Sequence, residues 1–290
     1  MALSTSEDIL AHQRRRRRRI GVFAASLALT LGLAACGTDD GDDAATTTTE
    51  APEDSTTTAD DSAGGGEGDL VAFCDAVIEV DATFAAGGPE GPDPTRLESA
   101  FQEAQRTAPA DIAADVERII TLTEEALSSP DQEGAPPPEV EELDSNIDEY
   151  VVANCDFAEV EVTGTEYNFE GLSEPIPAGK TTFNFTNDGG EMHELVLVRV
   201  NDDVTAPLEE LAQLPQEEVF SMIEVKGFGF APPDGTDQTF ADLEPGRYGA
   251  LCFLPVGSTP EAVAAAEESG EEIDAPPHFT QGMLTEFTVE

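Results

Sequence analysis

The chain has 290 residues, with 13 basic against 61 acidic side chains and a formal charge of −48 at neutral pH. Charge of that sign and size excludes nucleic acid and anionic membrane surfaces as electrostatic partners and favours cationic ones. Only four cysteines, four methionines and three histidines are present, so the positions of the soft and imidazole donors carry most of the chemical information.

Arg14 to Arg19 form a cationic run, and Ile20 to Ala35 form an apolar run that ends in small residues. This is the pattern of an export signal, 1–35, and the apolar run falls short of the ~20 residues a membrane span needs. Leu33-Ala34-Ala35-Cys36-Gly37 resembles the lipobox of bacterial lipoproteins. The resemblance implies cleavage before Cys36 and lipidation of Cys36. The mature chain is then expected on the cell membrane, anchored by lipid and facing outside the cytoplasm. Residues 36–68 continue as a Thr/Asp/Gly-rich segment with almost nothing to bury, read as a disordered tether spanning ~30 Å.

Export gives the remaining cysteines a meaning, because paired thiols oxidise outside the cytosol. Cys74 and Cys155 bracket one segment and are the expected disulfide. Cys252 is left over, and an unpaired exported cysteine calls for a reason, which a metal supplies.

Residues 69–155 are expected to form a small α-helical domain. Leu70, Phe73, Val77 and Phe84 recur at helical spacing. Asp93-Pro94 is a helix start followed by Leu97, Phe101 and Ala104. Ile112, Val116, Ile119 and Leu127 mark a third stripe, and Val140, Leu143, Ile147 and Val151 a fourth after Pro136-Pro137-Pro138. Four short helices make a marginal core. No histidine, metal-ligand spacing or phosphate loop occurs in this segment.

From residue 156 to 290 the pattern changes to short strands separated by Gly/Pro turns, which indicates an all-β sandwich. Strands are expected around Val160 to Val162, Tyr167 to Phe169, Lys180 to Asn187, Leu195 to Val200, Gln238 to Leu243, Arg247 to Leu254 and Leu284 to Glu290. Helical insertions are expected at Pro207 to Phe220 and at Glu261 to Glu268. The chain thus reads as multi-domain, a helical unit followed by the sandwich.

His193, Cys252, His278 and Met283 are, in chain order, the donor types of a blue-copper site: two imidazoles, a thiolate and a weak axial thioether. The segments around them resemble the cupredoxins. Pro177-Ala178-Gly179-Lys180 looks like that family's turn before the strand Thr182 to Asn187, and Asp188-Gly189-Gly190-Glu191-Met192-His193 looks like the turn that delivers its first histidine. Pro245 to Cys252 is similar to its penultimate strand, and His278-Phe279-Thr280-Gln281-Gly282-Met283 has its His-to-Met spacing. The resemblance covers residues 158–290. It implies a Greek-key sandwich holding one copper ion per chain, with His193 and His278 as equatorial ligands, Cys252 as the thiolate and Met283 as the axial ligand. Met192 is a rival thioether, but it should point away from the side of His193 on an extended strand.

Two departures stand out. The family usually places the cysteine and second histidine on one short loop, whereas 25 residues intervene here. Each doubling of loop length adds only ~0.6 kcal/mol, so the ends can still converge, with Pro276-Pro277 stiffening the return. The insertion then covers the edge where a redox partner would dock. Glu194, directly after the first histidine, should favour Cu(II) and lower the potential.

The function expected is one-electron transfer, with a cationic redox protein as partner. Copper holding or delivery without redox turnover, and a metal-free partner-binding module, are the alternatives. An enzyme is not expected, because two histidines cannot build the second copper centre an oxidase needs.

Overall fold

The computed structural model describes residues 67–87, 91–128, 137–173 and 175–290. The export signal, Cys36 and the tether as far as residue 66 lie outside the described residues. Among the described residues no helix is long and apolar enough to cross a membrane.

Four helices come first: α1 (Glu67–Ala86), α2 (Pro94–Thr107), α3 (Ala113–Ser128) and α4 (Pro138–Asn154). Each carries one of the apolar stripes. The start of α2 follows from capping chemistry: the Asp93 carboxylate accepts from the Thr95 and Arg96 amides at 2.9 and 3.0 Å, and Pro94 needs no partner. Phe73, Leu97, Phe101, Val116, Ile147 and Val151 meet in one buried cluster. Cys74 is bonded to Cys155, just beyond α4, across 81 residues of chain. Closing so long a loop contributes ~4 kcal/mol in the chain-entropy model. The exposed Arg96–Glu79 and Arg118–Glu139 pairs contribute less, since such pairs are worth about 0–1 kcal/mol.

The second half is a sandwich of two four-stranded sheets. One sheet contains β1 (Ala158–Thr165), β2 (Asn168–Glu170), β3 (Gly179–Asn187) and β6 (Thr236–Leu243), ordered β2-β1-β3-β6. The other contains β4 (His193–Val200), β5 (Ile223–Ala231), β7 (Gly246–Leu251) and β8 (Leu284–Val289), ordered β5-β4-β7-β8. The β1–β3 pair is parallel and the rest are antiparallel. Phe183 and Phe185 of β3 pack against Leu195 and Leu197 of β4 and Tyr248 of β7 to form the core between the sheets. On its other face, β4 buries Val198 and Val200 beneath Leu208 and Leu211 of the short helix α5 (Leu208–Leu211). That second cover explains why Leu195 to Val198 form an apolar run in place of an alternating one, with Arg199 the single break before Val200. A further turn of helix, α6 (Gln216–Val219), leads into β5.

Strand β5 has no counterpart among the strands expected from the sequence. Gly227 and Gly229 occupy positions where a β-branched or aromatic residue would have marked it. A side chain at the first of these would be crowded: a Cβ on Gly227 would lie 3.1 Å from Thr239 Oγ1 and 3.2 Å from Leu197 Cδ1.

Strands β5 and β6 end their respective sheets and are consecutive in the chain, so the sandwich has one open side. Helix α1 packs across both. Phe240 of β6 belongs to the helical core and meets Phe157 edge-on at 6.2 Å. Carboxylates take the amides that a further strand would have paired: Asp81 of α1 accepts from Phe240 N at 3.1 Å, and Asp237 of β6 accepts from Phe230 N at 2.6 Å. A covered edge of this kind cannot recruit a second chain.

These acids sit close together. Burial pushes Asp81 up to about 8, opposed by the Phe240 amide and reinforced by Asp144 and Asp237. Burial likewise pushes Asp237 up to about 7 and moves Asp148 upward, with Asp144 and Asp81 adding to the rise at Asp148. A carboxyl whose folded pKa exceeds its unfolded value of ~3.9 binds a proton in the fold that it releases on unfolding. The stability it contributes is complete below about pH 4 and is lost as pH rises through the folded value. The urea midpoint should therefore fall between pH 5 and pH 9. Asp81→Asn, which keeps an acceptor for Phe240, should flatten that fall and be more stable than the parent at pH 9. Denaturant titrations in which Asp81→Asn and the parent share one pH profile would contradict the assignment.

Candidate metal centre

Antiparallel pairing brings the four proposed donors to one end of the second sheet. His193 opens β4, Cys252 follows the last residue of β7, and Met283 immediately precedes β8. The neighbours of β7 run opposite to it, so its end lies beside both of their beginnings. His278 starts a 3₁₀ turn (His278–Gln281) that returns the chain to Met283 through Gly282, at φ 120°, a conformation only glycine adopts readily.

The long connection between Cys252 and His278 is pinched at its base. Val256 N donates to Pro276 O at 2.9 Å, His278 N to Leu254 O at 2.8 Å and Phe279 N to Cys252 O at 2.9 Å. The intervening residues, including helix α7 (Pro260–Ser269), hang from this neck, and the ends converge.

Among the described residues, His193, Cys252 and His278 form the group of side chains that could hold a metal. His193 Nδ1 lies 3.2 Å from His278 Nδ1, which lies 3.3 Å from Cys252 Sγ. All three, and Met283, are fully buried, and Met283 shares the core cluster of Cys252. A metal bonded at ~2.0–2.3 Å to three donors in a triangle needs edges of about 3.5 Å, close to those present. Met192 is buried too, but outside the core cluster that holds Cys252 and Met283.

Hydrogen bonding at the far side of the His278 ring decides which of its nitrogens carries the proton. His278 Nε2 lies 3.0 Å from Glu191 Oε2. An ionised carboxylate only accepts, so Nε2 carries the proton and Nδ1 presents its lone pair. His193 Nε2 lies 3.8 Å from Glu166 Oε1 and has no hydrogen-bond partner. Burial, then the neighbouring His278, pushes His193 down to about 4, so this ring is neutral at pH 7. In the metal-free site a proton on His193 Nδ1 bridges to the His278 Nδ1 lone pair at 3.2 Å, and a cation that replaces that proton meets both Nδ1 atoms and the sulfur. The donor set therefore fits a metal, and one thiolate with two imidazoles and a thioether suits copper.

The carboxylates are held by backbone amides. Burial alone would raise Glu191, but the Gly257 amide, Tyr167 and His278 bring it below the ordinary range. Burial also works against Glu166, whose bonds from the Glu191 and Gly190 amides prevail and lower it. Gly189 permits this approach, since a Cβ there would lie 2.5 Å from Glu166 Oε1 and 2.8 Å from His193 Nε2. Asn187, fully buried, braces the turn by donating to Glu191 O and Ala231 O and accepting from Gly189 N.

Glu194 differs from its expected role. Its amide donates to Cys252 Sγ at 3.3 Å, and its carboxyl accepts from Phe253 N. Burial pushes that carboxyl up to about 7, so it is not a fixed negative charge at neutral pH. Sequence reasoning passed over Glu166, Tyr167 and Glu191. Glu191 carried no strand signal, because it lies in the turn before β4 and meets His278 only through the tertiary fold.

No family model and no curated protein matches the chain. Solved structures do. A dithionite-reduced auracyanin from Roseiflexus castenholzii is 22% identical over 46% of this chain and 97% of its own, with a TM-score of 0.29. Auracyanin A, described as a "blue" copper protein from Chloroflexus aurantiacus, is 18% identical over 46% and 98%, also at 0.29. Rusticyanin from Thiobacillus ferrooxidans is 16% identical over 46% and 77%, at 0.25. The β region of this chain is a sandwich of two four-stranded sheets, and its His-Cys-His cluster has the donors for one copper ion.

Burial first, and then the Glu194 charge, pushes the Cys252 thiol up to about 12, against the lowering pull of the Glu194 and Leu254 amides. Because a bound metal needs the thiolate, copper uptake must expel that proton. Apparent affinity should rise roughly tenfold per pH unit between pH 6 and 8, with one proton released per copper. Metal titrations in weak buffer at several pH values measure both. A flat affinity profile would mean that the sulfur is not a ligand.

Proposed function

We propose that the protein is an exported, lipid-anchored one-electron carrier whose copper ion is held by His193, Cys252 and His278, with Met283 on the axis. The observation that carries this reading is the convergence of two imidazoles and a thiol, all fully buried, with the two Nδ1 atoms 3.2 Å apart. Copper bound there supplies a couple between two oxidation states that the mixed soft and imidazole donors tolerate almost equally.

The protein's own residues keep rearrangement small. The neck of the long loop fixes His278, strand pairing fixes Cys252 and Met283, and Asn187 braces the turn before His193. The Glu194 amide stabilises negative charge on the sulfur. Full burial excludes water from the donors and argues against a delivery protein, which must open its site to hand the ion over.

The Cys74–Cys155 disulfide supports an oxidising compartment. The lipobox-like segment at Cys36 supports anchorage, with the tether lifting the helical domain and Greek-key sandwich from the membrane surface. A strongly acidic body favours a cationic redox protein as partner.

The full-length protein, purified in mild detergent and loaded with Cu(II), should bind one copper and turn blue through thiolate-to-copper charge transfer. Cys252→Ser should abolish the colour. His193→Ala or His278→Ala should weaken binding or bleach the band, and Met283→Leu should stay coloured and raise the potential, since the axial thioether tunes more than it holds. Colourless binding that Cys252→Ser leaves unchanged would overturn the proposal.

A further inference from the structure

We infer that Glu191 is a positioning residue for the copper ligand His278, clamping the imidazole through Nε2 and locking the long Cys-to-His loop to the turn that carries His193. The inference rests on the copper reading for its effect on potential, but not for its geometry.

Glu191 receives four donors, one on Oε1 and three on Oε2. Oε1 accepts from Tyr167 Oη at 3.0 Å. Oε2 faces His278 Nε2 at 3.0 Å and accepts from the Gly257 and Ser258 amides at 2.5 and 3.0 Å. The main chain beside it is engaged as well: Glu191 O accepts from Asn187 Nδ2, and Met192 N donates to Ser258 O at 2.8 Å. Tyr167 also lies against the His278 ring, with centroids 4.9 Å apart. One side chain thus joins the turn before β4, the hairpin between β1 and β2, the start of the long insertion and a metal ligand.

The tautomer of His278 is set before any metal arrives, because an ionised carboxylate beside Nε2 can only accept and so requires the proton there. The ring cannot rotate without breaking a charge-assisted hydrogen bond in a buried site, so the apo geometry resembles the loaded one. The ring edge opposite the metal faces protein, not solvent, so negative charge is delivered to the imidazole and favours the more highly charged Cu(II). Gly257 and Ser258 give the insertion a role that its length alone does not suggest. Its first residues complete the shell around a ligand.

The test compares the full-length parent with Glu191→Gln, Glu191→Ala and Glu166→Gln. Glu191→Gln keeps an acceptor for the loop amides, so circular dichroism should be unchanged. Its Cu(II) affinity should fall ~10–100-fold, the usual effect of losing such a partner. A tenfold change in the ratio of Cu(II) to Cu(I) affinity moves a one-electron potential by ~59 mV, upward here. Glu166→Gln removes the same charge without touching a ring hydrogen bond and should shift the potential less. Equal shifts in the two variants, or an affinity within twofold of the parent in both Glu191 variants, would overturn the positioning role.

Nitrogen-15 spectra of the metal-free protein give a readout independent of copper. The parent should show His278 protonated at Nε2 with slow exchange, and Glu191→Ala should show a mixture of tautomers. Protonation at Nδ1 in the parent would overturn the inference. A parent that binds no copper but shows the Nε2 tautomer would refute the electron-carrier reading and leave the clamp standing.

Discussion

The antiparallel placement of β7 between β4 and β8 is the constraint on which the metal centre depends. It alone puts the start of one strand, the end of the next and the start of the last at the same edge, so that residues far apart in sequence share one pocket. Given that frame, the length of the connection between Cys252 and His278 matters little. Loop-closure entropy grows only logarithmically, and the neck formed by Leu254, Val256, Pro276 and His278 removes most of the freedom the extra residues would bring. The site is therefore a property of the sheet, and the insertion is free to acquire another role.

Much of this frame was legible in the chain, for identifiable reasons. The donors could be read because they are scarce residue types in a fixed order, and the strands at 182–187 and 195–200 because their apolar residues answer to a core on one or both faces. The four helical stripes were equally plain, and each falls on a helix. Strand β5 was hidden because its inner positions are glycines, chosen by the closeness of Leu197 and Thr239 and not by strand propensity. The carboxylates around the histidines were hidden for a different reason. In a chain with 61 acids a single glutamate carries no signal, and Glu166 and Glu191 both depend on contacts between turns that no local pattern encodes.

The role of Glu194 shows why adjacency in sequence is a poor guide to electrostatics. The residue next to a ligand points to the opposite side of an extended strand, so its carboxyl turns to the Phe253 amide while its own amide reaches the sulfur. Glu191, in the turn two positions before His193, reaches the other histidine, with Oε2 3.0 Å from His278 Nε2. The negative charge that bears on the imidazoles thus comes from residues held by hydrogen bonds, whereas the adjacent one lies where burial raises its pKa to about 7.

A chain with so few cations cannot satisfy its buried and half-buried acids by ion pairing, and the backbone takes over that task. Asp81 takes the Phe240 amide, Asp237 takes Phe230, Glu166 takes Gly190 and Glu191, Glu191 takes Gly257 and Ser258, and Glu286 takes Leu208. Each of these amides lies at a strand edge, in a turn or at a helix start, where no ladder or helical partner is available and an unpaired buried donor would itself cost about 1–3 kcal/mol. Acidic side chains and orphan amides therefore solve each other's problem, with an arginine beside only Glu286 among these acids, Arg247 at 3.9 Å. The same device that seals the open side of the sandwich against α1 fixes the loop and the histidine at the metal end. An acidic composition, which at first reading says only what the protein avoids, thus also supplies the bonds that hold its working parts in place.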